Sequence, residues 1–158
     1  MPIEIERKFL LKNDDWRPGA NGTDYRQGYL SVDPQRSVRI RKSGQQAWLA
    51  IKGATEGIAR LEFEYPIPAA DAEALLALCP PTVIEKTRYV IRQDKHCWEI
   101  DEFHGANEGL LLAEIELDDA NETFEKPDWL GDEVTHDPRY YNAMLSTHPY
   151  CQWKSDVV

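Results

Sequence analysis

Cysteine is scarce in this chain and poorly placed for chemistry. The three residues, Cys79, Cys97 and Cys151, are odd in number and far apart. They match neither zinc-ligand nor redox spacing, which predicts three reduced thiols. Long apolar runs are missing, so nothing approaches the roughly 20 residues that a membrane helix needs. The start, Met1-Pro2-Ile3-Glu4, lacks the basic and apolar regions of a secretory leader, and a cytosolic location is expected. Positive charge is also in short supply. Eighteen Lys and Arg stand against 28 Asp and Glu, a net charge of −10. That excludes general nucleic-acid binding, which needs a basic footprint. The four histidines, His96, His104, His136 and His148, do not cluster at metal-ligand spacing. There is no phosphate-binding P-loop, no glycine-rich dinucleotide motif and no serine in a nucleophile-elbow context. The five tryptophans are scattered and are expected to pack loops and helices rather than stack bases.

What is present is a repeated local pattern. With 158 residues, of which 42 % are apolar, the chain suits one domain over residues 1–158 with a modest core. Six stretches put charges at i, i+2 spacing with mostly apolar residues between: Glu4 to Lys8, Arg39 to Arg41, Arg60 to Glu64, Lys86 to Arg88, Glu99 to Asp101 and Glu114 to Glu116; a seventh, Ala50 to Lys52, carries one charge in the same alternation. Side chains alternate across a strand, so each stretch gathers its charges on one face.

The pattern predicts strands at about 3–11, 25–31, 37–42, 46–52, 58–65, 83–93, 97–103 and 110–118. Ser43-Gly44 reads as a hairpin turn. Ala69 to Leu78 reads as a helix stopped by Pro80-Pro81. A second helix is expected over 137–145, with Asp137 as its cap and Pro138 at its first position. Eight strands with short connections predict antiparallel pairing.

A single alternating strand ordinarily turns its charges to water. Here nearly every strand carries the pattern, the signs are mixed, and the opposite faces are apolar: Ile3, Ile5 and Phe9; Leu61, Phe63 and Tyr65; Ile115 and Leu117. A closed barrel of about eight strands can just enclose a ligand. The fold class expected is α+β, mainly β: a closed eight-stranded antiparallel barrel with an ionic interior, its outer apolar face covered by flanking helices and loops. Such an interior is a poor stability device, because like charges repel and resist desolvation. It makes sense if metal and a polyanion complete the charge balance.

Glu4-x-Glu6-x-Lys8 resembles the ExExK signature of the CYTH superfamily, the triphosphate tunnel metalloenzymes. Its ordered companions are Arg39-x-Arg41, Lys52, Glu62-x-Glu64, Lys86-x-Arg88, Glu99-x-Asp101 and Glu114-x-Glu116. The run Gly131 to Thr135, followed by Asp137, Arg139, Tyr140 and Asn142, also resembles the small bacterial members. The resemblance covers essentially the whole chain. It implies a tunnel fold and chemistry on linear triphosphates.

Residue by residue, the resemblance implies that Glu4, Glu6 and Glu114 hold a metal that also binds the triphosphate. Glu116 would help hold a second metal carrying the attacking water. Mg²⁺ or Mn²⁺ suits such oxygen ligands, with two ions expected during turnover. Lys8, Arg39, Arg41, Lys52 and Arg88 would cradle phosphate oxygens. Arg60 belongs with these cations or pairs with Glu62 and Glu64. Lys86 would bind or protonate the leaving phosphate, so Lys86, Glu116 and Glu6 are the residues expected nearest the chemistry. Glu62, Glu64, Glu99 and Asp101 would support the others. The expected activity is metal-dependent hydrolysis of inorganic tripolyphosphate to pyrophosphate and phosphate. Thiamine triphosphatase stays open, since Trp16 or Tyr29 could offer an aromatic surface at a tunnel mouth. A class IV-like adenylyl cyclase and a non-catalytic polyphosphate- or nucleotide-binding module also stay open. The expected partner is a small-molecule triphosphate, with no nucleic acid and no membrane; the sequence allows a homodimer but does not require one.

Overall fold

Alternation becomes architecture once the strands close. The structure is a computed structural model that describes residues 2–79 and 83–156. Among the described residues nine strands form: β1 (Ile3–Leu11), β2 (Gly22–Ser31), β3 (Arg36–Ser43), β4 (Gln46–Gly53), β5 (Ala59–Ile67), β6 (Ile84–Gln93), β7 (His96–Phe103), β8 (Leu111–Glu116) and β9 (Leu130–Glu133). Two helices accompany them, α1 (Ala69–Ala77) and α2 (Asn142–Thr147). The strand order is β5-β4-β3-β2-β6-β7-β8-β1-β9, and β1 also pairs with β5. Eight strands therefore close into an antiparallel barrel, as the sequence predicts. The expected helix stop at Pro80-Pro81 lies outside the described residues.

Closure depends on β1 sharing one of its edges. Its first half pairs with β5, with Ile3 opposite Leu61 and Ile5 opposite Ala59. Its second half pairs with β9, with Phe9 opposite Glu133 and Leu11 opposite Leu130. Its other edge runs along β8. The sequence analysis did not predict β9: four residues are too few to show a period of two. Gly131 makes the approach feasible, because a Cβ there would meet the Leu10 carbonyl oxygen at 2.9 Å. In the tight β3–β4 turn, Gly44 adopts φ 59°, a conformation glycine enters without steric cost.

The predicted second helix is broken. Pro138–Tyr140 forms a 3₁₀ turn, with the Asp137 carboxylate accepting from the Arg139 N–H. Tyr141 is extended (φ −71°, ψ 133°), and α2 starts only at Asn142. The break re-aims the chain so that Leu145 reaches the barrel interior, where it is fully buried.

Apolar side chains pack on three sites. Outside β1, β7 and β8, Phe9, Trp98, Ile100 and Ile115 pack under the loop residues Trp16 and Trp129 and under Leu130 of β9. Outside β3 and β4, Ile40 and Ala47 meet Ala72 and Leu76 of α1. The third site is inside. Tyr29, Ile84, Phe103 and Leu112 pack around Leu145, on the inward parity of β2, β6, β7 and β8. One end of the interior is thus filled with apolar atoms, and the charged part has a floor. The outer apolar face is only partly covered: Ile3 and Tyr65 stay 60 % and 52 % exposed.

Candidate active site

Above that floor lies a cavity of about 630 Å³. Its wall carries the carboxylates of Glu4, Glu6, Glu62, Glu64, Glu99, Glu114 and Glu116, and the cations Lys8, Arg39, Arg41, Lys52, Arg60, Lys86 and Arg88. Seven of each sign face one space, so the chain's net −10 is carried elsewhere. Every charged residue given a site role from the sequence lines this cavity except Asp101, which is fully buried behind the wall. The loops before β3 and before β5 supply the remaining rim, including Val32, Pro34, Ala54 and Thr55.

Strands β3 and β6 present only cations to this space and β8 only carboxylates, while β1 and β5 present both. Glu6 and Glu116 are direct register partners on neighbouring β1 and β8. In an eight-membered ring β2 lies opposite β1, and β3 and β6 flank β2. The arginines and lysine of β3 and β6 therefore face the carboxylates of β1 and β8 across the cavity.

Carboxylate oxygens of Glu4, Glu6 and Glu116 lie within 4.8 Å of one another. The sequence-based expectation grouped Glu114 with Glu4 and Glu6 instead. Glu114 is engaged by cations: its Oε1 is 3.4 Å from Lys8 Nζ and its Oε2 is 4.0 Å from Arg88 Nη2. Burial would raise the pKa of Glu114, but Lys8 outweighs it, with help from Arg88 and Lys86, and takes it down to about 2. Glu6 behaves oppositely. Burial, then the neighbouring Glu114 and Glu4 charges, push its pKa well up. Burial and then Glu4 and Glu99 also raise Glu116. Glu4, the third member, is the exception: burial would raise it, but Glu62, Lys52 and Arg60 together hold it down to about 2. Two carboxylates that resist ionisation beside one that is ionised fit a divalent cation, whose charge would relieve both desolvation and repulsion. An all-oxygen donor set suits a hard ion such as Mg²⁺ or Mn²⁺.

Glu4 is tied into this cluster from the other side. Lys52 Nζ donates to both its oxygens, at 3.1 and 3.3 Å, and Arg60 Nε lies 3.6 Å away. Glu62 is hydrogen-bonded to Glu4. Burial, and then that bond, push Glu62 up to about 7. Glu64 accepts from Arg39 Nη2 at 3.2 Å.

The opposite wall is built on Asp101. It accepts from Lys86 Nζ (2.8 Å), Arg88 Nε (2.7 Å) and Arg88 Nη2 (2.9 Å). Arg88 Nη1 reaches Glu99 at 2.9 Å. Burial, and then the Arg88 and Arg41 charges, push Lys86 down to about 7 against the pull of Asp101. Burial, with Arg39 and Arg88 nearby, lowers Arg41 to about 10. Arg39 keeps a buried Nε that has no hydrogen-bond partner among the described residues. A buried donor of that kind is costly unless an oxygen atom arrives to accept from it.

Two polar positions beside the cavity cations escaped the sequence analysis. Gln27 is fully buried on the inward face of β2 and accepts from Arg41 Nε at 3.0 Å. Asn142, quoted above only as part of a resemblance, accepts from Lys86 Nζ at 3.0 Å. Neutral amides leave no trace in a charge pattern, so neither stood out. Trp16 is not a mouth aromatic: it is 3 % exposed in the outer core, because the loop that carries it folds against β1, β7 and β8. Tyr29 does line the cavity.

Comparison with known proteins agrees with this geometry. The family model for the CYTH domain matches residues 2–142. An inorganic triphosphatase of Acetivibrio thermocellus is 49 % identical over 155 residues, covering 98 % of this chain and 99 % of the relative. An inorganic triphosphatase of Nitrosomonas europaea is 36 % identical over 149 residues, covering 90 % and 96 %. A crystal structure of an inorganic triphosphatase superposes with a TM-score of 0.66 at 33 % identity, covering 92 % of this chain and 95 % of that one. No helix among the described residues is long and apolar enough to cross a membrane.

Proposed function

This chain belongs to the CYTH domain family, and on that premise we propose that it hydrolyses inorganic tripolyphosphate to pyrophosphate and phosphate with a divalent cation. The observation that carries this reading is the facing arrangement of the Glu4–Glu6–Glu116 cluster and the β3 and β6 cations in one cavity. A pure anion binder would gain nothing from seven carboxylates. A linear triphosphate with metal uses both walls. The enclosure of the cations, in a protein of net charge −10, favours a small polyanion over nucleic acid.

Glu4, Glu6 and Glu116 would hold the cation. When bound, it supplies charge neutralisation of the phosphate chain and acidification of a coordinated water. Mg²⁺ or Mn²⁺ is the expected ion, and a second ion during turnover would draw on Glu116. Lys8, Arg39, Arg41 and Arg88 bind and orient phosphate oxygens, the arginines by their planar forks. Water attacks a terminal phosphorus, and the bond from that phosphorus to the bridging oxygen breaks. Lys86 Nζ donates to that bridging oxygen as it takes up the bond's electron pair, and pyrophosphate leaves. A pKa near 7 lets Lys86 give up a proton at neutral pH.

The test is phosphate release from tripolyphosphate, thiamine triphosphate, ATP and pyrophosphate with Mg²⁺ or Mn²⁺, and with EDTA. Fast, EDTA-sensitive release from tripolyphosphate supports the proposal. Release from thiamine triphosphate alone, cyclic nucleotide from ATP, or tight binding without turnover would each overturn it in favour of the corresponding alternative.

A further inference from the structure

Two amides, Gln27 fully buried and Asn142 half-buried, connect the cations of β3 and β6 to the helix that caps the cavity. Arg41 Nε donates to Gln27 Oε1 at 3.0 Å. Gln27 Nε2 donates to Asn142 Oδ1 at 2.9 Å. Lys86 Nζ donates to the same Asn142 oxygen at 3.0 Å. The direction of this chain is fixed at both ends, because guanidinium and ammonium groups can only donate. Arg41 therefore forces the Gln27 oxygen toward itself and its NH₂ toward Asn142. Lys86 forces the Asn142 oxygen inward from the other end. Neither amide can flip without leaving two donors face to face.

The bridge has a consequence for Lys86. An ammonium carries three N–H bonds. Asp101 takes one at 2.8 Å and Asn142 takes another at 3.0 Å. The third remains for the cavity that Lys86 lines. The charged groups around Lys86 are Asp101 on β7, Arg88 on β6, Arg41 on β3 and Glu114 on β8. The Phe103 ring lies 5.6 Å away. Among these neighbours the bridge contributes an uncharged acceptor, which aims the ammonium without adding negative charge to a phosphate site.

We propose that Asn142 and Gln27 are positioning residues: an amide bridge from α2 that orients Lys86 and Arg41 together for the leaving and bound phosphates. It rests on the hydrolytic reading above for its catalytic consequence, but not for its geometry. Docking of α2 then sets the cavity floor, through Leu145, and the aim of Lys86, through Asn142, in one step.

The test uses the full chain with Asn142→Leu, Asn142→Asp and Gln27→Leu. Titration of Lys86 is followed by NMR of its side chain without substrate, with Lys86→Met to assign the signal. In Asn142→Leu the ammonium loses an acceptor, so Lys86 should titrate lower than in wild type. In Asn142→Asp it gains a charged acceptor and should titrate higher, and the alkaline limb of the kcat profile should follow in both directions. Asn142→Leu should lower kcat roughly 10- to 100-fold with little change in KM, the scale of a hydrogen bond to a charged group. Gln27→Leu should instead raise KM, through Arg41. The isosteric Asn142→Asp keeps the shape of the site and guards against simple misfolding. The proposal is overturned if Lys86 titrates at one pH in all variants, if both Asn142 variants shift it the same way, or if kcat falls only in step with the melting temperature. If wild type hydrolyses no triphosphate, the functional reading fails, while the substrate-free titration still decides the bridge.

Discussion

Lys86 Nζ lies 2.8 Å from Asp101 Oδ2, and neither side chain has appreciable exposure. Asp101 also holds Arg88 by two hydrogen bonds, so one buried carboxylate anchors two cavity cations. Its own pKa is driven far down, because Arg88 and Lys86 outweigh the burial that would raise it. Removing it would leave two buried cations with one fewer partner each, which is worse than never having built the pair.

Asp101→Ala should therefore cost about 3–5 kcal/mol of stability. Urea unfolding measures this. Triphosphate turnover should be lost as well, since Lys86 and Arg88 lose their common anchor. A variant with wild-type stability would show that the pair is not the support described here.

Glu6→Gln should separate stability from activity. Glu6 is held in a carboxylate cluster against desolvation and repulsion. The neutral amide should leave the melting temperature of the metal-free protein unchanged or higher. The stabilisation that Mg²⁺ confers on wild type, by binding only the folded state, should disappear. Turnover should fall roughly 100-fold or more, the scale of a lost transition-state charge contact. Differential scanning calorimetry with and without Mg²⁺, beside a phosphate-release assay, checks all three.

The pH dependence of stability follows from the same cluster. Glu62, Glu6 and Glu116 have folded-state pKa values above the ordinary 4.5, with Glu62 at about 7. A carboxyl raised in the folded state binds more protons there than in the unfolded state. Its stabilising contribution is full below 4.5 and is lost as pH rises to the folded value. Lys86, lowered to about 7, acts in the opposite sense but only above that pH. Glu4 and Glu114, held down to about 2, act in the opposite sense, but their contribution is complete above about pH 5.5. The metal-free protein should thus melt at falling temperature from about pH 5.5 to about pH 7. Excess Mg²⁺ should flatten the slope and release protons, seen as a calorimetric binding heat that depends on the buffer. A melting temperature that climbs through this window in EDTA would contradict the assignment.

Leu145→Ala probes the floor. Leu145 is fully buried among Tyr29, Ile84, Phe103 and Leu112. The cavity left behind should cost about 2–5 kcal/mol. Turnover should drop by more than the stability loss accounts for at the assay temperature, because α2 carries Asn142 to Lys86. Thermal melts paired with kcat at several temperatures resolve the two effects.

Much of the protein was legible from periodicity. A period of two is a local property, so Glu4, Glu6 and Lys8, or Lys86 and Arg88, reveal their shared face without knowledge of the fold. The mixed signs on strand after strand then argued for an enclosed ionic interior. Tertiary structure decided everything that depends on register between distant strands. Closure placed Glu116 directly opposite Glu6 and left Glu114 to Lys8, a choice that turns on strand stagger and has no local signature. The same inward parity that turns Lys86 to the cavity turns Ile84 to the apolar floor, so sequence could not say which end of the barrel is filled. Gln27 and Asn142 lie 115 residues apart in the chain. Neutral and unpatterned, they become a bridge only because β2 and α2 meet at the cavity floor.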